Sequence, residues 1–171
     1  MASDGVDYQN GNGADIGAPK AVSFSSLRPK LVVQAPRAAD AVAFYKAAFG
    51  AEEVLRSNHP KRKADQDLPL ILYSHLRLGA VELLVSDETD DSEAGVKSTE
   101  ALGGTPLLLC LETDDVEAAV AKAVQAGAVA EEGAGDGTCC GGCWTKVKDP
   151  FGFVWAIGSS SKAIPIEADE A

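Results

Sequence analysis

The chain carries one pattern twice. Asp40-Ala-Val-Ala-Phe-Tyr-Lys-Ala-Ala-Phe-Gly-Ala is answered later by Glu117-Ala-Ala-Val-Ala-Lys-Ala-Val-Gln-Ala-Gly-Ala. Both segments have helical spacing, and both stop at Gly-Ala, at Gly50-Ala51 and Gly127-Ala128. Each follows an apolar strand-like run, Leu31-Val32-Val33 or Leu107-Leu108-Leu109-Cys110-Leu111. Each is followed by further strand-like runs. Two copies of one supersecondary unit imply a pseudo-symmetric domain with a cleft between related sheets.

At 171 residues the chain suits one ordinary domain, or two small modules sharing a core, and 46% hydrophobic residues can furnish that core. A net charge of -11 opposes binding to nucleic acid or to an anionic membrane. No apolar run reaches transmembrane length, and no basic segment leads an apolar stretch at the start of the chain. Glycines and polar residues over 1–22 predict a disordered tail, and 159–171 a second loose tail. Of the four cysteines, Cys139, Cys140 and Cys143 crowd into one loop and Cys110 stands apart. That is not the spacing of a secreted disulfide framework, so a reduced, cytoplasmic chain is expected.

The periodicities predict a strand over 29–34, then a helix from a capping Asp40 to about Phe49, stopped by Gly50. A strand over 52–56 and a loop over 57–69 should follow. Two runs, 70–78 and 80–86, predict a hairpin turning near Gly79. The acidic stretch from Asp87 to Glu93 opens a hinge that extends to residue 105. The second copy starts at Pro106, with Asp114 or Asp115 capping a helix that ends at Gly127. Trp144–Lys148 and Phe153–Ile157 should pair around Asp149-Pro150-Phe151-Gly152. The order is βαβββ twice: an α+β fold of two tandem modules, 27–90 and 105–158, forming a curved, cup-shaped mixed sheet.

Three segments carry a resemblance: Ala41-Val-Ala-Phe-Tyr-Lys-Ala-Ala-Phe-Gly-Ala, Leu78-Gly-Ala-Val-Glu-Leu-Leu-Val-Ser-Asp-Glu and Lys146-Val-Lys-Asp-Pro-Phe-Gly-Phe-Val-Trp. With them, residues 27–158 resemble the vicinal oxygen chelate superfamily of glyoxalases, bleomycin-resistance proteins and extradiol dioxygenases. The nearest likeness is to its small glyoxalase-like members. The resemblance implies a two-module cup, commonly paired as a homodimer. In the metal enzymes of that group it also implies four His, Glu or Gln ligands on the first and last strands of each module. Those positions fall here near Arg28 to Lys30, at Glu82, near Leu108 and near Ala156. Only Glu82 can bind a metal, so no metal and no cofactor are expected.

The chain has two histidines, His59 and His75. His75 shares a strand face with Tyr73 and Arg77 by alternation. A turn at Leu78-Gly79 would set it opposite Glu82. The pair reads either as a carboxylate orienting an imidazole, hence a general base or half a metal site, or as a buried polar pair that satisfies itself. Phe24, Tyr73, Trp144 and Trp155 are aromatic candidates for the cavity wall, with Phe151 and Phe153. The ligand site expected from all this comprises Glu82, His75, Arg77, Tyr73, Trp144 and Trp155. Three functions remain open: a metal-free small-molecule binder of the bleomycin-resistance type, a metal-dependent lyase or dioxygenase with a remodelled ligand set, and a thiol-based metal or redox responder using the cysteine cluster.

Overall fold

The computed structural model describes residues 19–60, 69–90, 95–131 and 144–159. The predicted cysteine loop with Cys139, Cys140 and Cys143 lies outside the described residues, as do 1–18 and 160–171. The architecture is two βαβββ modules in series. Module one runs β1 (Lys30–Val33), α1 (Ala38–Phe49), β2 (Glu52–Asn58), β3 (Ile71–Leu78) and β4 (Val81–Asp87). A short helix, α2 (Thr99–Leu102), lies in the predicted hinge. Module two runs β5 (Leu108–Glu112), α3 (Val116–Ala126), β6 (Val129–Ala130), β7 (Trp144–Lys148) and β8 (Val154–Gly158).

The two sheets have the same topology, β1-β4-β3-β2 and β5-β8-β7-β6. In each, the first and last strands pair in parallel and the remaining neighbours run antiparallel. The crossover helix therefore covers one face of its own sheet. Leu31, Val33, Leu76, Leu83 and Val85 point under α1, and Val147, Trp155 and Ile157 belong to the same core. Alternation gives each sheet a second face turned away from its crossover helix, the open face, although Val32, Ser86, Trp144 and Ala156 are buried on it. The two modules meet helix on helix, α1 against α3; among the described residues the strand backbones of the two sheets stay apart.

Ala41, Val42, Phe44, Tyr45 and Ala48 form the buried stripe of α1. Gly50 ends the helix at φ 70, and its N–H returns to the Lys46 carbonyl. The start differs from the expected Asp40 cap. The helix begins at Ala38, and its N-cap Arg37 makes no side-chain capping bond. The cap comes instead from Asp87 at the far end of β4. Its Oδ1 accepts the Ala38 N–H at 2.9 Å, and its Oδ2 accepts the Ile71 N–H at 2.8 Å. One buried carboxylate thus satisfies the helix and a strand start together. In module two the expected local cap is present: Asp115 accepts the Ala118 N–H at 3.0 Å.

The Asp149-Pro150-Phe151-Gly152 segment is more than a turn. Asp149 Oδ1 accepts the Phe151 and Phe153 N–H groups, both at 2.9 Å. Its Oδ2 accepts the Tyr45 hydroxyl at 2.7 Å and the Trp155 indole N–H at 2.9 Å. Tyr45 belongs to module one, so the carboxylate ties the modules together. Arg37 donates to the Pro150 carbonyl at 3.0 Å and lies 4.7 Å from the centre of the Phe151 ring. The Thr99 hydroxyl of α2 donates to the Phe151 carbonyl. Gly152 sits at φ 87, where a Cβ would collide with Thr99.

Candidate functional site

The open face of the first sheet gathers most of the polar groups picked out from the sequence. The β3–β4 hairpin turns at Gly79-Ala80, which pairs Leu78 with Val81 and Arg77 with Glu82. His75 is therefore opposite Leu84, not Glu82 as the expected turn had it. Moving the two-residue turn one position along the chain shifts the register by two, so the side chain stays on the same face. His75 reaches Glu82 diagonally, Nε2 to Oε2 at 3.1 Å. Tyr73, His75, Arg77, Glu82 and Leu84 share this face by register.

Arg28, just before β1, reaches across to the same carboxylate, with Nε donating to Glu82 Oε2 at 2.5 Å. This bond holds the Glu82 carboxyl below its ordinary range, with His75 adding to the effect. Arg77 is turned outward and donates to Glu52 at 3.0 Å. The His75 imidazole is mostly buried. Nε2 lies at ion-pair distance from Glu82, yet this buried nitrogen completes no hydrogen bond. Buried polar atoms are rarely left so.

On the second sheet, the register places Trp144, Lys146, Val154, Ala156, Leu108 and Cys110 on the open face. Trp144 is buried and its indole N–H likewise lacks a partner. Trp155 is on the opposite face. It is packed against Tyr45 and Phe49, and its N–H is taken by Asp149. Its side chain is part of the core and does not join the Glu82 face. Phe151 and Phe153 are core as well. Phe24 lines no cavity of its own chain, being 91% exposed. Sequence reasoning missed Asp149 and Asp87 as the two carboxylates that organise the fold. Burial raises the pKa of both, and their donors oppose the rise.

The donor set does not fit the divalent metal of the superfamily's enzymes. Among the described residues no three His, Cys, Asp or Glu side chains converge. Glu82 stands alone, with one of its oxygens engaged by a guanidinium, and Ala156 and Leu108 carry no donor atoms on their side chains. No helix among the described residues is long and apolar enough to cross a membrane.

The paired βαβββ modules, each with a helix-covered and an open sheet face, define a glyoxalase-like protein of the vicinal oxygen chelate fold. Two family models match in series: the glyoxalase At5g48480-like N-terminal domain over residues 30–88 and its C-terminal domain over residues 108–157. The Arabidopsis thaliana protein At5g48480 is 40% identical over 147 residues, which is 86% of each chain. The chain belongs to the glyoxalase At5g48480-like family. The X-ray structure of that Arabidopsis gene product superposes with a TM-score of 0.63 at 36% identity, covering 80% of this chain and 100% of that one. TioX from Micromonospora sp. ML1 shares the fold at 19% identity and a TM-score of 0.56, over 80% of this chain and 98% of its own. FosX from Listeria monocytogenes, solved with Mn(II) and sulfate, shares it at 12% identity and 0.54, over 83% and 94%.

Proposed function

We propose that the protein binds a small molecule on the open face of its first sheet, without a metal, and that a second copy closes the cavity. The observation that carries this reading is the mostly buried Nε2 of His75, which lies 3.1 Å from Glu82 Oε2 without completing a hydrogen bond. A buried nitrogen without a partner costs free energy unless a ligand or water meets it. Around it, Tyr73 and Leu84 offer apolar surface, and Glu82 Oε1 is left to accept a donor, since Arg28 and His75 both address Oε2. This make-up suits a ring-bearing ligand with one hydrogen-bonding edge. The second sheet contributes Trp144, whose indole N–H also awaits a partner.

The two open faces do not close on each other within one chain, because the modules meet through α1 and α3. A homodimer that sets the first sheet of one protomer against the second sheet of its partner would complete the cup, with twofold symmetry as the usual closure. Acidity and clustered thiols fit a reduced, cytoplasmic setting.

A thermal-shift screen of small ring compounds tests this, since binding to the folded state alone raises apparent stability. Compounds that raise the Tm of the parent should lose the effect in Glu82→Gln, which keeps shape and removes charge. Equal stabilisation of parent and variant would remove Glu82 from the site. Metal analysis of the purified protein separates the metal-dependent lyase or dioxygenase reading: one metal per chain, lost on Glu82→Ala, would overturn the metal-free reading.

A further inference from the structure

A groove of about 780 Å³ opens at the seam between the modules. Module one supplies one wall, from Phe49 at the end of α1 and the β3–β4 turn between Leu78 and Val81. Module two supplies the other, from the end of β5 and one stripe of α3. That stripe is Asp115, Ala118, Ala119 and Lys122, the i, i+3, i+4 and i+7 positions of a single helix face. Leu78 and Val81 pair on the helix-covered side of the first sheet, whereas His75 and Glu82 lie on the opposite side. The groove is therefore separate from the ligand face argued above.

Its interior is apolar and held in place. Phe49, Leu78 and Leu111 are partly buried against the core, and Ile157 is fully part of it. The Phe49 ring lies 4.7 Å from Trp155, centre to centre, and stacks nearly parallel to Tyr45. The polar atoms of Trp155 and Tyr45 are both fixed by Asp149. An aromatic wall anchored in this way is ordered before any ligand arrives, which lowers the entropic cost of binding. The small side chains of Ala118 and Ala119 leave room beside it. Both the volume and the position between modules are those of a small-molecule site.

The charged lining residues select the ligand. Glu112, Asp115 and Lys122 are all exposed, so the groove holds two carboxylates against one ammonium. Asp115 Oδ1 is committed to the Ala118 N–H. Among the described residues Glu112 makes no ion pair, and Lys122 makes none either. A carboxylate ligand would bring a third negative charge to this rim, in a chain of net charge -11. A protonated amine would meet two opposite charges. We propose that the groove binds a hydrophobic primary amine, with an aromatic or branched hydrocarbon body against Phe49, Leu78 and Leu111 and its ammonium on Glu112. Apolar contact supplies most of the affinity, and the carboxylate sets the sign of the charge that is accepted.

The experiment is an NMR titration of the nitrogen-labelled full chain with phenethylamine and, separately, with hydrocinnamate, which carries a carboxylate on a similar phenylalkyl body. Phenethylamine should move the amide signals of Gly79, Leu111 and Ala119 and reach saturation. Hydrocinnamate should leave those signals in place at the same concentrations. Glu112→Gln keeps the shape and removes the charge. It should raise the Kd for the amine by about threefold to fivefold, the range of a solvent-exposed ion pair. Added salt should weaken the parent in the same direction. Ala118→Trp fills the groove from an exposed helix position and should abolish binding, with circular dichroism unchanged. Equal affinity for the two compounds overturns the amine assignment, and so does an unchanged Kd in Glu112→Gln. Signals that move around His75 and Glu82 instead, or no movement at Gly79, Leu111 and Ala119, overturn the groove as the site.

Discussion

The two modules share a topology and use it differently. Module one has the buried Asp87 but also carries a set of polar groups on the face away from its helix: Tyr73, His75, Arg77 and Glu82, met by Arg28 from outside the sheet. Module two keeps its main polar group inside. Asp149 is only 4% exposed and accepts four donors, one of them from the other module. The open face of module two is mostly apolar around Trp144, Val154 and Ala156, with Lys146 and Cys110 beside them. One copy has retained surface chemistry and the other has become the fastening of the pair. A duplicated fold can separate these tasks because each copy already has a covered face and a free one.

The largest expected effect tests the fastening. Asp149→Ala leaves two backbone N–H groups, the Tyr45 hydroxyl and the Trp155 indole without their acceptor. At about 1–3 kcal/mol for each abandoned buried donor, with some relaxation, the loss should be about 3–5 kcal/mol. Urea unfolding followed by tryptophan fluorescence measures it, since Trp155 reports directly. A loss below about 1 kcal/mol would break the comparison, because Asp149 would then be no more than a turn residue. Asp149→Asn gives the pH side. Burial raises the folded-state pKa of Asp149 above its ordinary 3.8. The folded state then binds more protons than the unfolded, so its contribution is full below the unfolded value and is lost as pH rises through the folded one. Stability of the parent should therefore fall, as pH rises above the ordinary 3.8, more steeply than that of the asparagine variant. Identical slopes would show that the carboxylate titrates normally.

Asp87 supplies the smaller, matching test within module one. It holds two backbone N–H groups, those of Ala38 and Ile71, and no group of module two. Asp87→Ala should cost on the order of 2–3 kcal/mol, less than Asp149→Ala, and should fray the start of α1. Hydrogen exchange at Ala38 and Ile71 would locate the damage. A cost equal to that of Asp149 would mean that module one is fastened as firmly as module two, and the division of tasks would lose its support.

These two carboxylates also show what could and could not be read from the chain. The repeat, the βαβββ order, the Gly50 and Gly127 stops and the final hairpin were legible because they depend on local periodicity and on glycine at a turn. The Asp87 cap was not, since it joins residues 49 apart in sequence and outcompetes the local candidate Asp40. The two-residue turn at Gly79-Ala80 moved His75 away from its expected partner by one diagonal step, and alternation preserved its face. Glu82, His75, Arg77 and Tyr73 were grouped correctly by strand parity. Trp155 was not: its place in β8 turns it to the core face, where its indole N–H meets Asp149. The Asp-Pro-Phe-Gly motif was visible as a turn. Its role as a clamp depends on Tyr45, Arg37 and Thr99, which no local pattern connects to it.

The smallest expected effect concerns the surface pair that marks the other module. The Arg28 guanidinium holds the Glu82 carboxyl below its ordinary 4.5. A lowered folded-state value means that the interaction is present above the unfolded pKa and is lost as pH falls through the folded one. Both side chains are partly exposed, so solvent screens the pair and little stability depends on it. The position of the titration is the quantity that should move. Carboxyl carbon chemical shifts of Glu82, followed by NMR from pH 7 down to acid, should give a midpoint below 4.5 in the parent. In Arg28→Ala the midpoint should return toward the ordinary value, with the Tm unchanged. Added salt should shift the parent midpoint in the same direction, since screening weakens an exposed pair. If the parent midpoint already sits at the ordinary value, Arg28 does not engage Glu82 in solution. The open face of module one would then present a bare carboxylate, and its ligand would need to bring the cation that Arg28 now supplies.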